Sequence, residues 1–209
     1  EKIKITPNGI DAQRFVRCLE EKREDDDMIN IGAVLRIAPI KDVKTMIRAF
    51  AYAKKEAPKL ALWIMGPSDE EKEYAKECYD LVKQMELQNI IFTGRVDIVQ
   101  YMRKLDFTIL TSISEGQPLS VLESFAARRP CVTTDVGCCR ELLNGKEGDD
   151  FGCAGYCVPP MYRDGLAAAM EKMCESRRRR IRMGKSGQAR TKAYYRHERM
   201  ISEYRKLYR

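Results

Sequence analysis

Residues 29–65 read INIGAVLRIAPIKDVKTMIRAFAYAKKEAPKLALWIM, and this stretch decides the fold. Residues 29–35 form a short apolar run rich in β-branched side chains, the pattern of a strand buried on both faces. Residues 43–56 instead place Met46, Ile47, Phe50 and Ala53 at spacings of three and four, which lines up one face of a helix. A second apolar run follows at 60–65. Strand, helix and strand in this order make a crossover unit with parallel strands.

The alternation continues on the C-terminal side. Runs at 90–93, 107–110 and 130–133 carry the strand signature. Periodic stretches at 70–85, with Tyr74, Cys78, Leu81 and Val82 on one face, and at 96–105 and 120–128 supply the helices between them. This pattern predicts a doubly wound, Rossmann-like α/β fold in which the five runs are central strands. Residues 156–158 read as a short edge strand, and 163–175 and about 188–208 as helices that close the domain. On the N-terminal side, EEKREDDD at 20–27 is charged without an apolar period and reads as an exposed loop. An Asp-x-Asp metal grip would have to follow a strand, whereas this run precedes the first one.

The chain has 209 residues, 44% hydrophobic and 33% charged, enough for one domain with its own core. A single domain over 1–209 is expected. No apolar run approaches the roughly 20 residues of a membrane span. The start at Glu1-Lys2-Ile3, with neither initiator Met nor signal-peptide pattern, reads as a piece of a longer protein. The net charge of +7 is uneven, because residues 177–209 hold 13 Lys and Arg against Glu198 and Glu203, leaving −4 for everything before. The basicity belongs to the tail, which reads as a solvated or domain-contacting helical face. A nucleic-acid binder would carry its basic stripe on the folded core with aromatic partners, so no such partner is expected. The eight cysteines include no CxxC pair, only adjacent Cys138-Cys139 and the spaced Cys153 and Cys157, and the lone His197 lies in the tail. Metal-ligand spacing is poor, and buried or half-buried free thiols in a reducing cytosol are expected.

Ligands of an open α/β sheet bind beyond the carboxyl ends of its strands. Arg36 and Lys41 follow the first strand, Gly66-Pro67 the second, Gly94-Arg95 the third and Ser112 to Ser120 the fourth. The segment TSISEGQPLSVLE at 111–123 is the most specific. Glu115 stands in a Gly/Pro loop and Glu123 one turn into the next helix, so both flank a helix start whose free N–H groups suit a phosphate. Carboxylates accept hydrogen bonds from vicinal hydroxyls. Acids beside a phosphate cradle therefore indicate a ligand with both sugar and phosphate, a nucleotide sugar. A diphosphate beside two carboxylates needs cations, which Arg36 and Lys41 supply. With one histidine, in the tail, a Ser-His-Asp triad is not expected.

Together with TPNGID at 6–11 and PCVTTDVGCCRELL at 130–143, these residues resemble the C-terminal, donor-binding half of a GT-B fold, family 4 retaining glycosyltransferase. The resemblance covers nearly the whole chain and is strongest to enzymes of bacterial exopolysaccharide synthesis. It implies that Arg36 and Lys41 hold the donor diphosphate and stabilise it as leaving group, that Glu115 contacts hydroxyls of the transferred sugar, and that Glu123 binds the ribose diol. The backbone of Gly116, Gln117, Pro118, Leu119 and Ser120 would meet sugar and phosphate, and the Gly94, Arg95 and Val96 turn would face the base; Gly66, after the second strand, is a further substrate-binding candidate. It further implies a hexosyltransferase using a UDP-sugar, with no metal or other cofactor required. The implied partners are a glycan acceptor, an N-terminal acceptor domain of the same protein and membrane-associated polysaccharide-synthesis proteins. The implied location is the cytoplasm, at the periphery of the inner membrane, and this half alone would bind donor but barely turn it over. Leu35 replaces a usual Gly before the arginine, Asp42 replaces a Gly after the lysine, and Cys138-Cys139 stands where small residues are common. From the residues alone, half of a GT-B epimerase or phosphorylase and a non-catalytic module of the same fold stay open.

Overall fold

The structure, a computed structural model, describes residues 5–16, 18 and 27–207. Residues 20–26 of the acidic run and Tyr208 lie outside the described residues; Asp27 is exposed and pairs with Lys59 at 2.5 Å. The described strands are β1 (Ile29–Val34), β2 (Leu60–Met65), β3 (Ile90–Gly94), β4 (Phe107–Leu110), β5 (Cys131–Thr134) and β6 (Gly155–Val158). They form one sheet in the order β3-β2-β1-β4-β5-β6, parallel at every pairing. The helices are α1 (Val43–Glu56), α2 (Lys72–Gln84), α3 (Ile98–Met102), α4 (Leu119–Ala126), α5 (Cys139–Asn144), α6 (Arg163–Cys174), α7 (Arg177–Tyr194) and α8 (His197–Leu207). This is a doubly wound, Rossmann-like α/β fold.

One strand departs from expectation. β3 is an edge strand, half-buried along its whole length, because among the described residues no strand covers its outer side; its run Ile-Ile-Phe-Thr does not distinguish this from a central position. α3 is also shorter than its periodic stretch: Asp97 starts it late by accepting from the Val99 N–H at 3.1 Å, and beyond Met102 the Lys104 and Leu105 N–H groups donate to the Tyr101 and Met102 carbonyls at 2.8 and 3.3 Å, a tighter turn that ends it.

The sheet separates two apolar layers. On one side Ile31, Leu62 and Phe107 pack with Met46, Ile47 and Phe50 of α1 and Met170 and Met173 of α6. On the other, Met65 and Leu110 pack with Leu122 and Phe125 of α4 and Leu142 of α5. Period-two alternation along β1 sends Ile31 and Ala33 to the first layer and Gly32 to the second. A Cβ on Gly32 would lie 2.2 Å from Leu105 Cδ1, so the bare strand makes room for that leucine.

The tail corrects the sequence reading twice. Helix begins at Arg177, capped by Ser176 accepting from the Arg179 N–H at 3.2 Å, well before residue 188. It breaks at Tyr195-Arg196, where Ile10 N–H donates to the Tyr195 carbonyl at 2.9 Å and His197 N–H to the Ile10 carbonyl at 3.1 Å. The tail's charge is also partly internal. Arg190 is 1% exposed and spends its five N–H donors on Asp149 at 2.6 and 3.0 Å and on the carbonyls of Leu142, Leu143 and Gly152 at 3.1, 3.0 and 2.7 Å. It thereby splices α5 and the following loop to α7. Arg180, also buried, donates to the Met173 and Cys174 carbonyls at 2.6 and 3.3 Å, where its charge meets the negative end of α6.

The cysteines form no disulfide. Burial pushes the thiols of Cys131 and Cys139 up to about 12, leaving them protonated and inert near neutrality. Cys153 is exposed, against the expectation of burial. Among the described residues no helix is long and apolar enough to cross a membrane.

Candidate functional site

Parallel strands bring their carboxyl ends to one edge, and the strand order reverses between β1 and β4, which opens a crevice there. The loops that follow these strands are stitched together at the crevice. Ile113 N–H donates to the Ile40 carbonyl at 2.9 Å, and the Thr111 hydroxyl donates to the carbonyls of Lys41 and Asp42 at 2.8 and 3.2 Å. Lys41 ends a short 3-10 turn, Pro39–Lys41, and Asp42 then takes the left-handed conformation with φ 47°. Glycine meets no Cβ penalty in that region and Asp tolerates it, so Asp42 fills a position whose geometry explains the usual glycine. Its carboxylate also starts α1, accepting from the Thr45 N–H at 3.4 Å, while its Oδ2 is buried without a partner.

Lys41 Nζ lies 2.5 Å from Glu115 Oε1, with side-chain exposures of 22% and 13%. The Ser112 hydroxyl donates to the same oxygen at 2.6 Å, and the buried Thr134 hydroxyl fixes the Ser112 carbonyl at 2.6 Å. Among the described residues nothing bonds the other carboxylate oxygen, Oε2. Gly137, at φ 54°, presses on this loop; a Cβ there would come within 2.3 Å of both the Glu115 and Gly116 carbonyls. The Cys138 N–H donates to the Gly116 carbonyl at 3.0 Å.

The helix start after Glu115 is open. α4 begins at Leu119 with Pro118 before it and no side-chain cap, so its first N–H groups are available to an anion. Space beside Gly116 is clear, since a Cβ there would meet nothing within 4 Å. Leu119 is exposed and Ser120 half-buried. Gln117, by contrast, is engaged by the N-terminal segment, its side-chain oxygen and its carbonyl accepting from Asn8 at 2.6 and 3.3 Å. Of the backbone expected to meet a ligand, the N–H groups at the helix start are open, while the carbonyls of Gly116 and Gln117 are taken. Glu123 sits on α4, and burial raises its carboxyl above the usual carboxylate range while the charge of Arg14 opposes the shift. Arg14 belongs to the 3-10 turn Ala12–Phe15 that follows PNGI.

On the β1–β2–β3 side, a cavity of about 400 Å³ is lined by Leu35, Arg36, Gly66, Arg95, Val96 and Ile98, among others. Gly66 N–H donates to the Gly94 carbonyl at 2.9 Å, and a Cβ on Gly66 would lie 1.9 Å from the Leu35 carbonyl, so glycine permits this close approach of two loops. Arg36 donates to Glu70 at 2.6 Å, with Arg95 nearby at 3.8 Å from Glu70 and 3.7 Å from Asp69. The Glu70 hydrogen bond and charge raise Arg36 further above its ordinary value.

The structure thus brings Lys41 to Glu115 and gathers Arg36, Gly66, Arg95 and Val96 around one cavity. It holds Arg36 and Lys41 on two different carboxylates rather than as a bare pair. Sequence reasoning missed Glu70, Ser112, Thr134 and the role of Gly137. Ser112 heads the rim segment, and Thr134 and Gly137 lie within the 130–143 motif, but the roles of all four come from contacts across the fold. No group of three or more His, Cys, Asp or Glu with metal-binding spacing occurs among the described residues.

Comparison with known proteins gives the family and the fold. The profile of the family described as glycosyl transferases group 1 matches residues 19–190. The chain is 30% identical over 155 residues to the putative glycosyltransferase EpsD of Bacillus subtilis, covering 69% of this chain and 39% of that protein. It is 29% identical over 167 residues to alpha-monoglucosyldiacylglycerol synthase of Streptococcus pneumoniae, covering 73% and 36%. The chain spans little more than a third of the length of these curated relatives. Among solved structures, HepE of Anabaena in complex with UDP-glucose superposes with a TM-score of 0.84 at 20% identity, over 98% of this chain and 56% of that one.

Proposed function

The chain belongs to the glycosyl transferases group 1 family, and from that premise we propose that it is the donor-binding half of a retaining glycosyltransferase that uses a UDP-sugar. The observation that carries this reading is the joining of Lys41, Glu115 and Ser112 at the crevice between β1 and β4. The diphosphate takes Lys41 and the open start of α4, with Arg36 on its other side. The sugar hydroxyls meet Glu115 Oε2, the ribose diol meets Glu123, and the base enters the cavity lined by Gly66, Arg95 and Val96, beside Gly94. Such positive groups stabilise the departing UDP as the anomeric carbon becomes cationic, and the donor is bound without a required metal.

The rest of the reaction belongs to an N-terminal acceptor domain, which receives the glycan acceptor. The exposed α8 arginines form part of the face toward that domain, and this half alone turns over little. The resemblance of residues 33–50, 64–78 and 110–143 to PelF supports a role in exopolysaccharide synthesis in the cytoplasm, beside membrane-associated synthesis proteins. The likeness to HepE, solved with UDP-glucose, supports the choice of uridine. Calorimetric titration with UDP, UDP-glucose, GDP and ADP tests the reading. UDP is expected to bind more tightly than GDP or ADP and to retain much of the UDP-glucose affinity; tighter binding of GDP or ADP contradicts it.

A further inference from the structure

α7 carries eight Lys and Arg and no acidic residue in its 18 positions. Arg179, Arg180 and Arg190 are engaged by Glu175, by the end of α6 and by Asp149. Arg178, Arg182, Lys185 and Lys192 are not. They recur at spacings of four, three and seven and are all exposed, so they form one line along the outer face, about 21 Å long. No ion pair engages these four among the described residues. The line is not purely polar. Ile181 is 49% and Phe151 40% exposed, and both border a groove of about 470 Å³ with Arg178, Arg182 and Lys185. Phe151 meets the Tyr194 ring edge-on at 6.1 Å, and Lys146 stands over that ring at 4.7 Å, extending the cationic border.

We propose that this face of α7 docks on an anionic phospholipid surface. The cations run on past the groove to Lys192 along a line about 21 Å long, which matches a sheet of headgroups better than a single phosphate. Each Lys or Arg brought near such a surface strengthens binding about fivefold. The apolar pair set among them gains by entering the headgroup region, a gain that an acidic polypeptide in water does not offer. α7 lies on none of the crevice loops, so the proposal stands apart from donor binding.

The test is co-sedimentation of the 209-residue chain with vesicles of phosphatidylcholine alone or mixed with phosphatidylglycerol. Binding is expected only to the mixed vesicles and should weaken as salt screens the charges. The R178E/R182E/K185E variant should bind at least about a hundredfold more weakly, its R178Q/R182Q/K185Q counterpart should also lose binding, and I181A/F151A should lose roughly fivefold. Reversing Arg199 and Arg205 on α8 should change binding by no more than about twofold. Retained binding by the α7 variants, an equal loss in the α8 variant, equal binding to pure phosphatidylcholine, or capture of poly-glutamate without vesicle binding would each overturn the proposal.

Discussion

Lys41 and Glu115, separated by 74 residues in the chain, meet at 2.5 Å across the crevice, so the cation assigned to the diphosphate is neutralised by the carboxylate assigned to the sugar. A diphosphate must compete with Glu115 for Lys41, and the two positions should respond oppositely to substitution. Lys41→Ala should weaken UDP by about 1.5–3 kcal/mol, the range for hydrogen bonds to charged groups. Glu115→Gln should leave UDP binding unchanged or slightly tighter, because Lys41 is released, while abolishing the extra affinity contributed by the sugar. Calorimetry with UDP and UDP-glucose separates the two, and equal losses for both ligands in both variants would contradict the assignment.

Glu123, the proposed partner of the ribose diol, also bears on stability. Its carboxyl is raised in the folded chain by burial, so the folded state holds more protons than the unfolded one between the two pKa values. Stability therefore falls as pH rises through that window and stays lowered above it. Glu123→Gln should raise the melting temperature near neutrality and flatten this dependence. The same change should weaken UDP, because an amide is a poorer partner for a diol than a carboxylate. A melting temperature that drops at neutral pH would count against a burial cost.

Arg190 and Asp149 form a fully buried pair. Burial raises the Asp149 carboxyl, but the Arg190 hydrogen bond, the Phe151 N–H and nearby positive charge outweigh it, and the net shift is downward. The pair's stabilisation is therefore complete above the usual aspartate range and lost as pH falls through the lowered value. Arg190→Ala should destabilise by about 3–5 kcal/mol because it leaves a buried charge unpaired. Denaturant unfolding of Asp149→Asn should show a smaller change in stability between neutral and acid pH than the parent; an unchanged difference would remove Asp149 from this role.

Arg36 and Glu70 are both nearly half exposed, and pairs of that kind contribute about 0–1 kcal/mol. Glu70→Gln should therefore tighten UDP by no more than about fivefold. UDP affinity should fall with added salt, less steeply in Arg36→Ala, and should not respond to EDTA. A strict requirement for magnesium or manganese would contradict the proposal that the donor binds without metal.

The fold was legible because each strand is a compact apolar run and each crossover helix shows its face within a single window; strands β2 and β4 and helix α1 fall where residues 60–65, 107–110 and 43–56 predict them. The edge position of β3 was not legible, because apolar composition records burial but not which neighbour is missing. At the site, Arg36, Lys41, Glu115 and Glu123 could be picked out because parallel strands send all rim residues to one side. Their partners could not. Glu70, Thr134 and Gly137 act only through contacts between loops distant in sequence. The tail misled for the same reason, since Asp149 lies 41 residues from the arginine it neutralises, and nothing in the local charge count separates Arg190 from exposed Arg182.

A crystal structure of the chain with UDP bound decides whether the crevice between β1 and β4 is the donor site. The expected result is a phosphate oxygen within hydrogen-bond distance of Lys41 Nζ, a lengthened Lys41–Glu115 separation, the ribose diol on Glu123 and the base between Gly66 and Val96. UDP seated elsewhere, with Lys41 still 2.5 Å from Glu115, would contradict it.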